Sequence, residues 1–208
     1  SIGDYRSSQS GDWDDPDSWE LFGGTVWIPA TSFPDDPVAD VTIRDGHEII
    51  FNESNAETGT LMVETGGKLY TNSSGIYRYM LVFGNVLCDG IIGNLGTTDG
   101  ICLKPEGDTC HIYGNGDCRF RRIRKDESVN DTTTLIIGMP VEIYYDGTSD
   151  ALYNNQSGTL LNIELSEEGS LLLHASLDLD GCTFTVHSDS TGTGSVVAPN
   201  VQNDDSTN

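Results

Sequence analysis

A short apolar alternation that keeps returning constrains this chain more than any other feature. Pairs of apolar residues two apart open successive runs at Val41/Ile43, Leu61/Val63, Met80/Val82, Ile101/Leu103, Cys118/Phe120, Leu135/Ile137, Leu161/Ile163 and Cys182/Phe184. Alternation with a period of two is the mark of a strand with one buried face. From first member to first member the steps are 20, 19, 21, 17, 17, 26 and 21 residues. A sandwich or barrel places strands every ~8–12 residues. Secondary runs fill the gaps, at Ile49/Phe51, Lys68-Leu69-Tyr70, Cys110/Ile112, Val141/Ile143/Tyr145 and Leu171/Leu173. Two or three short strands per turn of ~20 residues is the arithmetic of a β-solenoid, whose coils each cover the apolar side of their neighbours. The competing arrangement is a β-sandwich with uneven loops.

No stretch carries a helical period. Even Leu160 to Leu179 reads as two strands, because Leu161, Ile163 and Leu165 alternate, Glu167-Glu168-Gly169 interrupts, and Leu171 and Leu173 alternate again. Asp-Gly occurs at Asp45-Gly46, Asp89-Gly90, Asp99-Gly100, Asp146-Gly147 and Asp180-Gly181. Glycine accepts the positive φ of tight turns, and Asp hydrogen-bonds its own following backbone. The expected class is all-β.

A solenoid's ends would expose strand edges and an apolar core. Trp13, Trp19 and Trp27 all precede the first repeat, so residues 1–39 are expected to form an aromatic N-terminal cap, with coils over 40–188. The tail, 189–208, is mostly Ser, Thr, Gly, Asn and Asp. It is expected to be a solvated linker, unless its own last coil or a neighbouring molecule holds it.

The segment Gly11-Asp12-Trp13-Asp14-Asp15-Pro16-Asp17-Ser18-Trp19, then Pro37, then Asp40-Val41-Thr42-Ile43-Arg44-Asp45-Gly46-His47, resembles the N-terminal module of large secreted parallel β-helix surface proteins. There a Gly-x-Trp-x-x-Pro-x-x-Trp segment precedes an Asp-x-Val-x-Ile-x-x-Gly-His strand and turn. Leu61 to Leu69 and Leu81 to Val86 look like the ensuing coils. The resemblance implies a right-handed parallel β-helix, export, and a role in adhesion or surface structure.

Charge narrows the partners. With 10 Lys+Arg against 33 Asp+Glu the formal net charge is -23, which argues against nucleic acid and against anionic membrane surfaces, since both demand a basic footprint. No apolar run approaches the ~18 residues of a membrane span. Ser1 opens the chain with no basic-then-apolar leader behind it, as expected of a processed or excised piece.

Three residue groups carry possible chemistry. The first is the five cysteines, Cys88, Cys102, Cys110, Cys118 and Cys182. In an exported chain they suggest one or two disulfides of open connectivity with one thiol left over, the alternative being small core residues. The second is Asp12, Asp14, Asp15 and Asp17. These offer the clustered oxygens calcium wants, but without the spacing of an EF-hand, and Asp beside Pro16 is also an ordinary turn former.

The third group is basic. Five of the ten cationic residues are Arg119, Arg121, Arg122, Arg124 and Lys125. Cys118 and Phe120 point inward by alternation, so Arg119 and Arg121 should point out, and Ile123 falls out of phase, implying a corner near Arg122. A positive stripe on a negative rod would dock an acidic partner, most economically another copy of the same chain. The alternative is local compensation by acids on adjacent coils.

Catalysis is not expected. A polysaccharide lyase could draft Arg119, Arg121, Lys104 and His111, yet nothing in the sequence sets their mutual geometry, and an acidic rod repels polyuronates. No nucleophile elbow, Walker loop or His-Glu-x-x-His is present, and His47, His111 and His187 suit structural roles. The expected function is a non-enzymatic extracellular or cell-surface structural protein that self-associates into a layer or filament. A monomeric glycan- or surface-binding adhesin and an acidic-polysaccharide lyase are the alternatives.

Overall fold

The computed structural model describes residues 1–72, 78–94, 100–125, 132–144, 152–154, 160–166, 169–173, 177–178, 182–186, 195–197 and 201–202. Among the described residues the chain is all-β, with parallel sheets; the only helical element is a 3-10 turn, Pro16–Ser18. Strands Leu160–Leu165 and Ser170–Leu173 occupy the stretch where a helix was least excluded.

The strands belong to three sheets, of ten, eight and seven strands. From Val41 onward the chain visits them in a fixed rotation. Val41–Ile43 lies in the ten-stranded sheet, Glu48–Ile50 in the eight-stranded and Asn55–Thr58 in the seven-stranded; Leu61–Val63 then returns to the first. Seven such circuits follow one another, ending with Cys182–Val186, Ser195–Val197 and Val201–Gln202. Each strand pairs in parallel with the strand three places on. Parallel pairing of the described strands from Val41 onward is not the antiparallel pattern of a sandwich.

The register explains why. In the ten-stranded sheet Val41, Leu61, Val86, Ile112, Ile137, Leu165 and Val186 are successive partners. In the eight-stranded sheet the line is Ile49, Leu69, Ile92, Cys118, Val141, Leu171 and Val196. In the seven-stranded sheet it is Ala56, Met80, Leu103, Ile123, Leu152, Leu177 and Val201. Three apolar ladders thus run through the molecule, one per sheet, and their described side chains are buried. Burial of this kind stabilises by about 25 cal/mol per Å² of apolar surface removed from water. A slip of one residue would turn a whole strand's apolar set outward.

The ladders also revise the period. By subtraction along the first ladder, from Val41 to Val186, the steps are 20, 25, 26, 25, 28 and 21 residues. The apolar pairs picked out by alternation had mixed the sheets: Met80/Val82 and Ile101/Leu103 belong to the seven-stranded one and Cys118/Phe120 to the eight-stranded. Every inward strand carries the same alternation, so alternation alone does not tell which sheet a run joins.

Between the ten- and eight-stranded sheets the circuits approach closely. A Cβ on Gly90 would strike Gly67 O, and one on Gly116 would strike Gly90 O. The same carbonyls accept Ile91 N at 3.0 Å and Asp117 N at 2.9 Å. Only glycine leaves the backbone room to make that contact.

The N-terminal segment is not separate from the sheets. Tyr5–Ser7 pairs in parallel with Val41–Ile43, and Gly11–Asp12 with Glu48–Ile50. Trp19–Phe22 and Trp27–Pro29 then extend the ten-stranded sheet as an antiparallel hairpin. Trp13 and Trp19 are buried, packed edge to face at 5.0 Å, and Trp13 meets Phe51 at 5.2 Å. Their indole N–H groups donate to Pro34 O and Trp13 O, so neither polar atom is stranded. Trp27 is half-buried beside Phe22, with Arg6 stacked on its ring. Of the polar tail 189–208, residues 195–197 and 201–202 form strands in the eight- and seven-stranded sheets; the remainder lies outside the described residues.

Neighbouring leucines provide a direct test of inward and outward assignment. Leu171 is buried in its ladder, whereas Leu172 is 37% exposed on the opposite face. Leu171→Ala should cost about 2–5 kcal/mol, and Leu172→Ala about 0.5 kcal/mol or less, by urea unfolding. Equal costs would refute the assignment.

Candidate functional site

The five basic residues straddle a corner. Arg119 belongs to Asp117–Phe120 of the eight-stranded sheet, and Arg122, Arg124 and Lys125 to Arg122–Lys125 of the seven-stranded sheet. Arg121 stands between the two strands, its N–H donating to Ile101 O. The corner expected near Arg122 is therefore present. The exposed stripe is not. Arg121, Arg122 and Lys125 are buried.

Alternation on either side of the corner explains the dispersal. Arg119 points outward and meets its register partner on the next circuit, Glu142, with Nε 3.0 Å from the carboxylate. The Tyr144 phenol also hydrogen-bonds Glu142, and that bond pushes its pKa up; the ring lies 5.7 Å from the Arg119 guanidinium. Arg124 reaches the Tyr79 hydroxyl at 3.3 Å, and Lys104 stacks 4.2 Å from the centre of the same ring. Lys125 keeps the inward phase of Ile123. It is fully buried, with Nζ 3.0 Å from Glu106 and 3.4 Å from Pro105 O. For Arg119 and Lys125, compensation by acids on adjacent circuits is the observed arrangement.

The cysteines are dispersed as well. Cys88, Cys102, Cys110 and Cys118 are free thiols, and the Cys182 side chain lies outside the described residues. Cys102, Cys110 and Cys118 fall in the seven-, ten- and eight-stranded sheets respectively, so they are not neighbours on adjacent strands of one sheet. Burial pushes the Cys102 thiol up to about 11, against the pull of Arg122, Arg121 and Arg124.

Asp12, Asp14, Asp15 and Asp17 are all exposed. Asp15 accepts from Asp17 N and caps the 3-10 turn, while Asp14 accepts from the Asn52 amide. Among the described residues no group of three or more His, Cys, Asp or Glu converges as a metal would require. His47 bonds Ser7 Oγ at 2.8 Å, and the His111 backbone N–H donates to Asn85.

One concave feature lies on the outer face of the eight-stranded sheet. A groove of about 300 Å³ is lined by Asp117, Arg119, Pro140, Glu142, Ser170 and Leu172, among others. It sets the Arg119–Glu142 pair beside an exposed leucine. Glu142 was legible as its outward position between Val141 and Ile143, but pairing it with Arg119 needed the register. Glu106 follows Pro105 with no pattern announcing a buried acid. Comparisons with protein-family models, curated proteins and solved structures find no match for this chain.

Removing one partner of the buried pair should be costly. Lys125→Ala leaves the Glu106 carboxylate enclosed without its counter-charge, a loss of about 3–5 kcal/mol. Lys125→Met with Glu106→Gln removes both charges and should recover most of it. Arg119→Ala, at a partly exposed pair on the outer face, should cost about 1 kcal/mol or less. Denaturant midpoints check all three, and a harmless Lys125→Ala would show that the pair is not enclosed.

Proposed function

We propose that the chain is a right-handed parallel β-helix and works as a non-enzymatic extracellular structural protein, joining copies of itself end to end in a surface layer or filament. The observation that carries this reading is the three-sheet rotation kept through seven circuits. Parallel strands joined by crossovers are right-handed in nearly all known cases, and a stack of rigid circuits offers length and flat faces rather than a reaction centre.

End-to-end joining follows from how charge and apolar surface are distributed. A net charge of -23 keeps the flanks of neighbouring rods apart. The basic run is occupied within the molecule, so it supplies no broad cationic face. By contrast, four of the six exposed large hydrophobics among the described residues are Ile2, Val26, Ile28 and Val38, all in the N-terminal segment. Contact between that end and the opposite end of a second copy would be heterologous, and a heterologous contact that does not close yields a filament. Extracellular placement rests on the resemblance of the Trp13/Trp19 segment to exported β-helix proteins. A monomeric glycan-binding adhesin is the second reading, favoured by the groove that places Arg119 and Glu142 beside Leu172.

Electron microscopy and sedimentation of the purified protein distinguish these readings. Fibres one molecule wide are expected, and Ile28→Asp with Val38→Asp should weaken association about tenfold or more. Isolated rods at every concentration, with sugar binding by the monomer, would favour the adhesin instead.

A further inference from the structure

Two buried thiols meet where the ten-stranded sheet hands over to the eight-stranded one. Cys88 ends the Val86–Cys88 strand, and Cys118 lies one circuit later in Asp117–Phe120, between Ile92 and Val141 in its ladder. Both face the interior. Cys88 Sγ donates to Asp117 O at 3.4 Å, the carbonyl immediately before Cys118, and lies 3.6 Å from Gly90 O. The corner glycines bring the circuits this close: a Cβ on Gly114 would strike the Cys88 backbone, and Gly116 N donates to Cys88 O at 2.9 Å.

The other described cysteines are placed differently. Cys102 sits on the outward phase of the seven-stranded sheet with arginines around it. Cys110 donates to Val82 O at 3.5 Å, and Lys125 and Glu106 are the charged groups near it.

We propose that Cys88 and Cys118 form a specific disulfide site, closed by exchange with a low-molecular-weight disulfide to staple one circuit to the next. One thiolate attacks the small disulfide, forming a mixed disulfide and expelling one small thiol. The second cysteine loses its proton and attacks the protein-bound sulfur of that mixed disulfide. The Cys88–Cys118 bond forms and a second small thiol leaves. Two protein thiols are oxidised and one small disulfide is reduced. In the closed fold, burial and the neighbouring Cys88 thiol push Cys118 well above the ordinary thiol range, so exchange needs the corner to open and is fastest during folding or in mild denaturant. The inference stands whether or not the rods join end to end.

The test treats the full chain with oxidised glutathione in urea just below its unfolding midpoint, then denatures and alkylates it without reductant. Of the five cysteines, three should take up alkyl groups and a non-reducing peptide map should contain a Cys88–Cys118 link. The untreated reduced protein should take up five. Cys102→Ser should keep the link and Cys118→Ser abolish it; the wild-type map decides alone if the second variant does not fold. Five alkylated thiols after treatment, stable glutathione adducts at Cys88 or Cys118, or a link between any other pair would overturn the proposal.

Discussion

Everything in this molecule depends on three columns of apolar side chains that stay in register from circuit to circuit. A short strand such as Ile91–Ile92 has almost no stability of its own. It persists because Ile92 lies between Leu69 below and Cys118 above, and because each backbone edge is paired on both sides. The stability of such an array is close to a sum of nearest-neighbour terms. The ladders therefore tolerate loops of unequal length at the corners, provided that each strand returns with the correct residue facing inward.

The same constraint governs the polar groups. A charged residue on an inward phase must bring its counter-charge with it, as Lys125 does with Glu106. On an outward phase it meets whatever the next circuit places opposite, as Arg119 meets Glu142. Stacking also compresses the corner between the ten- and eight-stranded sheets until glycine is required at 90 and 116. That compression is what brings the Cys88 thiol against the carbonyl preceding Cys118. Burial, charge pairing and thiol proximity are three results of one packing rule.

Much of this was legible in the chain. Period-two alternation identified the strands, the missing helical period was real, and the phase break at Ile123 marked the corner. Trp13 and Trp19 stood out as large aromatics ahead of the first repeat, but the contact of Trp13 with Phe51 was not legible. What stayed hidden was the assignment of runs to sheets. Met80, Cys118 and Leu135 present the same pattern to a reader of the sequence, yet they enter three different sheets. Without that assignment Arg119 and Arg121 share an outward face, and Cys110 lies closer to Cys118 than Cys88 does. Lys125 was the hardest to place. A lysine in a basic run suggests solvent, and only the acid carried in by the preceding circuit makes its burial tolerable.

Methyl NOE spectroscopy of the folded protein tests the ladders most directly. The account predicts an unbroken walk from Ala56 to Met80, Leu103 and Ile123, and a second from Ile49 to Leu69 and Ile92. Cross-peaks pairing these residues in antiparallel order, or gaps at successive steps of both walks, would contradict it.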